Sequence, residues 1–246
     1  PEFVRTHPLT TSRIADSRAR AEEFPEKEFT NTHSYNLIRY KLFVNTSKTA
    51  AEAAKVLRQT LLENQGSAKE KLPIRYGLAY AYIAQSEFVQ ATQQVDYLLK
   101  DNPDDVAYLL LAAKLETAQS NYNAAFTVFK KAYGLYPDYR PVVMAYSKAL
   151  LDVSNGKEAR DVLKNYERHH QHDLESYSLL GQAEAMLGNE IETAIIQSEY
   201  YYLAAQTQLA VDKLKQQYQI DYYQEQRINA RMAEFKYELE LEEGLK

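Results

Sequence analysis

The side chains best suited to chemistry in this chain are its five histidines, since cysteine is absent and thiolate chemistry is excluded. His169, His170 and His172 lie close enough in the sequence to suggest a hydrolytic metal site. They fall between two expected helices, where imidazoles share no fixed face, and no clear set of carboxylates accompanies them. We interpret this segment as a solvated loop, with Asp173 as the N-cap of the next helix, and keep a loop-histidine metal hydrolase as an alternative.

Zinc-dependent hydrolysis by the common helical His-Glu-x-x-His motif is excluded, because the sequence lacks that motif. The string His-Glu-x-x-His puts two zinc-binding imidazoles on one face of a helix, beside a glutamate that activates water. This string does not occur in the sequence. We therefore predict that the chain is not an enzyme and that it holds no metal or other cofactor of its own.

Composition narrows the class of protein further. The net charge is −5 with both signs interspersed, which argues against a surface for nucleic acid or anionic membrane. No run of about 18 apolar residues occurs, so no membrane-spanning helix is expected. With only 7 glycines and 7 prolines in 246 residues, the chain is predicted to be all-helical. Because position 1 is proline, we expect a processed or truncated part of a longer protein.

The elements that would position any binding residue are set by a repeat of 34 residues. Four series of residues keep this step in the same phase: Ala91, Ala125 and Ala159; Pro103 and Pro137; Ala79, Ala113, Ser147 and Gly181; and Ser86, Ser120, Ser154 and Gly188. A period of about 34 with helical patterning is the signature of tetratricopeptide (TPR) repeats, and the chain resembles that family. The resemblance implies an all-α, right-handed superhelical solenoid of antiparallel helix hairpins.

Each series has a physical role in such a hairpin. The alanine slots let two helices approach closely, the Ser or Gly slot is where the first helix stops, and the proline opens the next repeat. The repeats are degenerate, however. Glu116 and Glu184 stand where the family usually has an aromatic late in the first helix, and the aromatic early in that helix is kept only at Tyr177.

The repeat register divides the chain into four predicted parts. Residues 26–71 form a linker and an irregular first hairpin, residues 72–204 carry the 34-residue repeats, and residues 205–246 form a terminal half-repeat and a capping helix. The expected helix pairs lie near 72–85 and 87–101, 104–119 and 121–135, 138–153 and 156–168, and 173–187 and 189–204. The first part, residues 1–25, is assigned by a different signal.

That signal is the string PEF–x–x–THP–x–x–x–x–RI at the start of the chain. It comprises Pro1, Glu2, Phe3, Thr6, His7, Pro8, Arg13 and Ile14. The string is similar to the segment that closes the catalytic domain of one class of zinc metallopeptidase. Followed by a TPR array, it resembles periplasmic enzymes of the beta-barrel assembly-enhancing protease type. Residues 1–25 would then be the tail of a catalytic domain that is missing here.

This resemblance implies a function. The chain would be the non-catalytic protein-binding module of a periplasmic zinc metalloprotease and chaperone. It would dock the enzyme on the outer-membrane protein assembly machinery or on unfolded outer-membrane proteins. Zinc would be held by the missing catalytic domain, and His7 would lie in a loop beside the zinc cleft, where it could restrain the intact enzyme.

The TPR resemblance also implies a binding groove, because the first helix of each hairpin lines the concave side. The groove positions on this register are Tyr76, Tyr80, Lys114, Lys148, Met144 and Gln182. Two aromatics and two lysines on adjacent repeats could hold an extended peptide by its apolar side chains and a carboxylate. The competing interpretation is that Met144 belongs to the core and that the two tyrosines are covered by the terminal helices.

Two other functions stay open at this stage. One is an unrelated cytoplasmic TPR adaptor, for which the N-terminal string would be a coincidence. The other is the loop-histidine hydrolase, which a chelator-sensitive peptidase activity would reveal. A signal peptide and a His-Glu-x-x-His motif upstream of residue 1 would favour the protease type.

Overall fold

The computed structural model describes residues 11–22, 32–216 and 221–244, and these ranges contain helices and no strand. The helices are α1 (Thr11–Glu22), α2 (His33–Thr46), α3 (Ala50–Glu63), α4 (Ala68–Ala84), α5 (Phe88–Asp101), α6 (Val106–Ala118), α7 (Tyr122–Leu135), α8 (Arg140–Asp152), α9 (Gly156–Glu167), α10 (Leu174–Met186), α11 (Glu190–Leu203), α12 (Thr207–Lys215) and α13 (Tyr222–Gly244). The predicted all-α solenoid of TPR hairpins is thereby confirmed, while its handedness stays a prediction.

The chain divides into two compact units, residues 1–36 and residues 37–246. The first unit contains α1 and the first turn of α2. In that turn the backbone N–H of Tyr35 donates to Thr32 Oγ1 over 3.2 Å, which caps the helix. The second unit contains the rest of α2 and all the later helices. The domain boundaries predicted from the repeat register stay a prediction.

The turns inside the hairpins follow the predicted Ser and Gly series. Ser86, Ser120 and Ser154 have φ angles of 60°, 62° and 61°, and Gly188 has a φ of 73°. In each turn the N–H of the next residue donates to a carbonyl five positions earlier, as in a Schellman motif. These bonds run from Glu87 to Tyr82, Asn121 to Glu116, Asn155 to Leu150, and Asn189 to Glu184, over 2.8–3.1 Å. The series therefore marks left-handed residues that end the first helix of each repeat.

The small-residue series lies where two helices cross. Ala91 and Ala159 are 0% exposed and Ala125 is 1% exposed, as the register predicts. Ala79, Ala113 and Ser147 of the other series are all 0% exposed. These slots leave no room for a larger side chain, so they fix the spacing of the stacked hairpins.

One helix begins earlier than predicted. The expected start of the first regular hairpin is near residue 72, but α4 starts at Ala68. Ser67 and Glu70 form a capping box, in which the Ser67 side chain accepts from Glu70 N–H and the Glu70 side chain accepts from Ser67 N–H. The helix then continues through Pro73. The additional turn lengthens the first regular hairpin toward α3.

The 34-residue spacing of the turns is not kept after α11. Ala205 has a φ of 56°, and Gln206 N–H donates to Tyr201 O over 2.8 Å, which repeats the turn geometry seen inside the hairpins. The link from α11 to α12 is therefore of the kind that joins two helices of one repeat. The helix α11 therefore serves both as the second helix of one hairpin and as the first helix of the next.

The helix α13 packs through one face. Ile228 is 4% exposed and Phe235 is 0% exposed, and they form a core cluster with α12. Arg231 anchors the helix to α11, since its guanidinium donates to both carboxylate oxygens of Glu199 over 2.6 and 2.7 Å. The helix α13 is the C-terminal capping helix that the sequence predicts.

Candidate protein-binding groove

The first helices of the hairpins, α4, α6, α8 and α10, carry the predicted groove residues. Tyr80 on α4 is half-buried, and its ring receives two ammonium groups from neighbouring helices. Lys114 Nζ on α6 lies 5.0 Å from the ring centroid, and Lys41 Nζ on α2 lies 5.6 Å from it. Both distances fit a cation–π contact. The aromatic and basic groups predicted to lie together are thus adjacent here.

The close approach of α2 to α4 explains why Lys41 reaches this site. A Cβ atom placed on Gly77 would lie 2.8 Å from Tyr40 Cβ and 3.1 Å from Leu57 Cδ1. Only glycine fits such a crossing without displacing a neighbour. The sequence register could not indicate Lys41, because the α2–α3 hairpin does not follow the 34-residue step.

Tyr76 does not lie on an open surface. It is 8% exposed and packs in the core, with its ring centroid 6.4 Å from that of Tyr108. Burial, together with the nearby Tyr80, Asp105 and Tyr139, raises the pKa of the Tyr76 phenol from 10.0 to about 12. Tyr76 therefore lies in the core beneath the groove and is not part of the proposed contact surface.

Met144 is also removed from the contact surface by its burial. Its side chain is 4% exposed and belongs to a core cluster that extends from α6 to α11. An apolar residue at helical spacing is more often core than groove, and that interpretation applies here.

Lys148 and Gln182 lie together at one part of the groove, and both are exposed. They line a cavity of about 420 Å³ with Ser178 and Tyr200. A second cavity of about 320 Å³ shares Ser178, Gln182 and Tyr200 and extends toward Tyr201. Because α11 contributes Tyr200 and Tyr201, the groove is bounded by tyrosines that the register did not assign to it.

The loop histidines engage separate partners. His172 Nε2 lies 2.9 Å from Glu167 Oε1, its Nδ1 lies 3.2 Å from Ser176 Oγ, and its ring stacks on Tyr177 at 4.2 Å. Ser176 is 1% exposed, so this Ser–His–Glu arrangement offers no accessible nucleophile.

The other two loop histidines are His169 and His170. His170 stacks on the Tyr166 ring at 4.2 Å, and His169 is exposed. In the described ranges no group of three or more His, Cys, Asp or Glu side chains is arranged to hold a metal ion. His7 lies outside the described residues, so its predicted regulatory role stays a prediction.

The helical hairpins and their recurring left-handed turns define an all-α array of the tetratricopeptide-repeat type. The tetratricopeptide repeat profile matches residues 116–183. Within the residues that the structure describes, no helix is long and apolar enough to cross a membrane.

The most informative relatives are named beta-barrel assembly-enhancing proteases. The chain is 27% identical over 242 residues to the beta-barrel assembly-enhancing protease of Escherichia coli strain K12, covering 96% of this chain and 48% of the relative. It is 26% identical over 211 residues to the putative enzyme of that name from Vibrio cholerae, covering 86% and 43%. The resemblance predicted from the sequence motifs is confirmed.

The chain spans about half the length of the curated relatives that it matches. Among solved structures, a mutant of MamA aligns with a TM-score of 0.48 at 16% identity, covering 69% of this chain and 96% of that one.

Proposed function

We propose that this chain is the protein-binding module of a periplasmic zinc metalloprotease that acts in outer-membrane protein assembly. The module docks the enzyme on the assembly machinery or on unfolded outer-membrane proteins, and it contributes no catalytic group itself. Zinc is held by a separate catalytic domain. The relatives are about twice as long as the matched region, so their length allows for such a domain. The names of the relatives support the process, and the TPR array supports the mode of action.

The observation that carries the proposal is the grouping of Tyr80, Lys114, Lys148 and Gln182 on the first helices of the hairpins. The two lysines and Gln182 are exposed, and Tyr80 is half-buried beside Lys114. A rigid array of helices that presents an aromatic ring and flexible cations can hold an extended chain without enclosing it. The two cavities beside Gln182 and Tyr200 provide room for partner side chains.

The alternatives have less support. A cytoplasmic adaptor would leave the similarity over 96% of the chain to named assembly-enhancing proteases unexplained. A loop-histidine hydrolase would need imidazoles that converge on one point, whereas His170 and His172 stack on different tyrosines.

The proposal is tested by photo-crosslinking in the full-length protein, expressed in a Gram-negative host. A photoreactive amino acid is placed singly at Tyr80, Lys114, Lys148 or Gln182. Matched controls are placed at Asn123 on α7 and Lys157 on α9, which are exposed on the second helices of hairpins. Mass spectrometry then identifies the crosslinked proteins.

We expect outer-membrane β-barrel proteins or assembly components to be captured from the groove positions and not from the controls. Capture of these proteins only from Asn123 and Lys157 would contradict the proposal. Lys157 is chosen over Lys164 on the same helix, because the Lys164 ammonium lies 2.8 Å from a carboxylate oxygen of the buried Glu184.

A further inference from the structure

The arrangement at Tyr80 is more specific than a general binding surface. Two lysines from different helices, Lys41 on α2 and Lys114 on α6, both direct their ammonium groups to one tyrosine ring on α4. The two ammonium groups cannot be farther apart than the sum of 5.6 and 5.0 Å, the distances that separate them from the ring centroid. The ring thus holds two positive charges close together at an exposed site.

Lys41 and Lys114 share the ring of Tyr80, and neither is among the lysines that pair with an acidic side chain in the residues that the structure describes. Lys130, Lys131 and Lys164 each pair with a carboxylate on a neighbouring helix or loop. In the described part of the chain, neither Lys41 nor Lys114 forms an ion pair, and the same holds for Lys148 one repeat beyond Lys114.

One acidic group close to the neighbouring Tyr76 is already engaged. Asp105, which contributes to the field at Tyr76, caps α6 by accepting the N–H groups of Ala107 and Tyr108 over 2.9 and 3.1 Å. The Asp105 carboxylate is therefore held at the start of α6. The positive charge at Tyr80 is left for an external anion.

We propose that the site formed by Lys41, Tyr80 and Lys114 binds an extended acidic segment of a partner protein, with the two lysines contacting carboxylates two residues apart. In an extended chain, side chains at i and i+2 point to the same side and lie about 7 Å apart. That spacing fits within the reach of the two ammonium groups. The backbone between the two carboxylates lies across the Tyr80 ring. This inference rests on the proposed function and specifies the chemistry of the partner.

Side-chain carboxylates explain the arrangement better than a single terminal carboxylate. A chain terminus supplies one anionic group at one point, whereas the unpaired lysines are distributed over α2, α6 and α8. Lys148 extends the same series toward the cavities at Gln182, so a segment with further acidic residues could follow the groove. The register also supplies no asparagine at these positions to fix a terminal carboxylate.

The test uses the full chain and a fluorescein-labelled synthetic peptide with Glu-Ser-Glu at its centre, measured by fluorescence anisotropy. We expect binding that weakens with salt, because the contacts are exposed ion pairs. Lys41→Gln and Lys114→Gln should each raise Kd by about twofold to fivefold. Lys130→Gln is the matched control and should leave Kd unchanged, because Lys130 lies on α7, outside the site, with a side chain that is 63% exposed and an ammonium 3.8 Å from a carboxylate oxygen of Glu158.

Three comparison peptides define the chemistry. A Gln-Ser-Gln peptide should bind more weakly, and so should a peptide whose glutamates are three residues apart, because its carboxylates point to opposite sides. Amidation of the C-terminus should have no effect. Equal Kd values for the Glu and Gln peptides would overturn the inference, and so would a larger effect of amidation than of Lys41→Gln.

The two proposals fail separately. If crosslinkers at Tyr80 capture assembly proteins while the peptides bind independently of charge, the acidic-segment inference is wrong and the proposed function stands. If the Glu-Ser-Glu peptide depends on both lysines but no groove position captures assembly proteins, the inference stands and the proposed partners are wrong.

Discussion

Lys164 on α9 holds its ammonium 2.8 Å from a carboxylate oxygen of Glu184 on α10, a side chain that is 1% exposed. The other oxygen of Glu184 accepts from Asn189 Nδ2 over 2.6 Å. Glu184 occupies a slot where TPR sequences usually carry an aromatic residue. At the junction of α9 and α10, an ion pair to Lys164 and a hydrogen bond from Asn189 therefore take the place of an aromatic side chain.

Removing the lysine should leave Glu184 buried without its cation. Lys164→Met should lower the free energy of unfolding by about 1–3 kcal/mol, less than for a fully buried pair, because water reaches the partly exposed lysine. Urea denaturation at neutral pH measures the change. Lys157→Met, on the exposed side of the same helix, is the control. Identical urea midpoints for the two variants would show that the pair does not stabilise the junction.

A substitution at Ser147 is expected to raise the free energy of unfolding, in contrast to Lys164→Met. Ser147 fills the small-residue slot of α8, is 0% exposed, and its hydroxyl has no hydrogen-bond partner among the described residues. Alanine occupies the equivalent slot at Ala113. Ser147→Ala should therefore raise the free energy of unfolding by about 1 kcal/mol, because an unsatisfied buried hydroxyl is removed. The exposed Ser178→Ala is the control, and a loss of stability at position 147 would contradict this account.

Ala205 adopts a left-handed conformation that glycine tolerates better. Ala205→Gly should stabilise the protein by about 0.5–1 kcal/mol, because relief of the strain exceeds the entropy cost of glycine. Ala204→Gly is the control, since Ala204 has a φ of −79° and should lose stability on substitution. The thermal midpoints of the two variants should move in opposite directions. A parallel decrease would show that the α11–α12 turn is not strained.

The buried tyrosines predict a loss of stability at alkaline pH. Burial raises the pKa of Tyr76 from 10.0 to about 12, and burial together with the bond to Glu158 raises the pKa of Tyr146. Unfolded tyrosines ionise near pH 10, so the unfolded state gains charge first and the stabilising contribution is lost as pH rises from 10 toward 12.

This alkaline transition can be followed by phenolate absorbance and by far-ultraviolet circular dichroism. The buried phenols of Tyr76 and Tyr146 should ionise together with the loss of helix. Tyr76→Phe should reduce the alkaline sensitivity. If all tyrosines ionised before any helix was lost, the burial of Tyr76 and Tyr146 would be in doubt.

The repeat phase and the turns could be predicted from the sequence because they depend on local backbone constraints. The series from Ser86 to Gly188 records residues that must end a helix in the left-handed region, and such constraints recur with the period. The start of α4 was also readable, since Ser67 and Glu70 have the spacing of a capping box. The 34-residue register does not include this local signal, so it predicts a start near residue 72 instead of at Ala68.

The groove was less predictable, because a register indicates which helix face a residue occupies and not how deep it lies. Tyr76 and Tyr80 are one turn apart, yet packing against Tyr108 buries the first and leaves the second half-exposed. Lys41 enters the site only because Gly77 lets an irregular hairpin come close. Depth and non-periodic contacts are tertiary properties, which a period alone does not specify.

The left-handed turn at Ala205 follows the one at Gly188 after 17 residues, half of the 34-residue step. The array therefore changes phase at this point. Extending the register would assign Asp212 to the slot of Tyr76, although Asp212 lies on α12, a helix that pairs with α11 as its second member. A variant that is lengthened or shortened should therefore gain or lose a whole hairpin before Gly188. After Gly188 the unit to add or remove is a single helix.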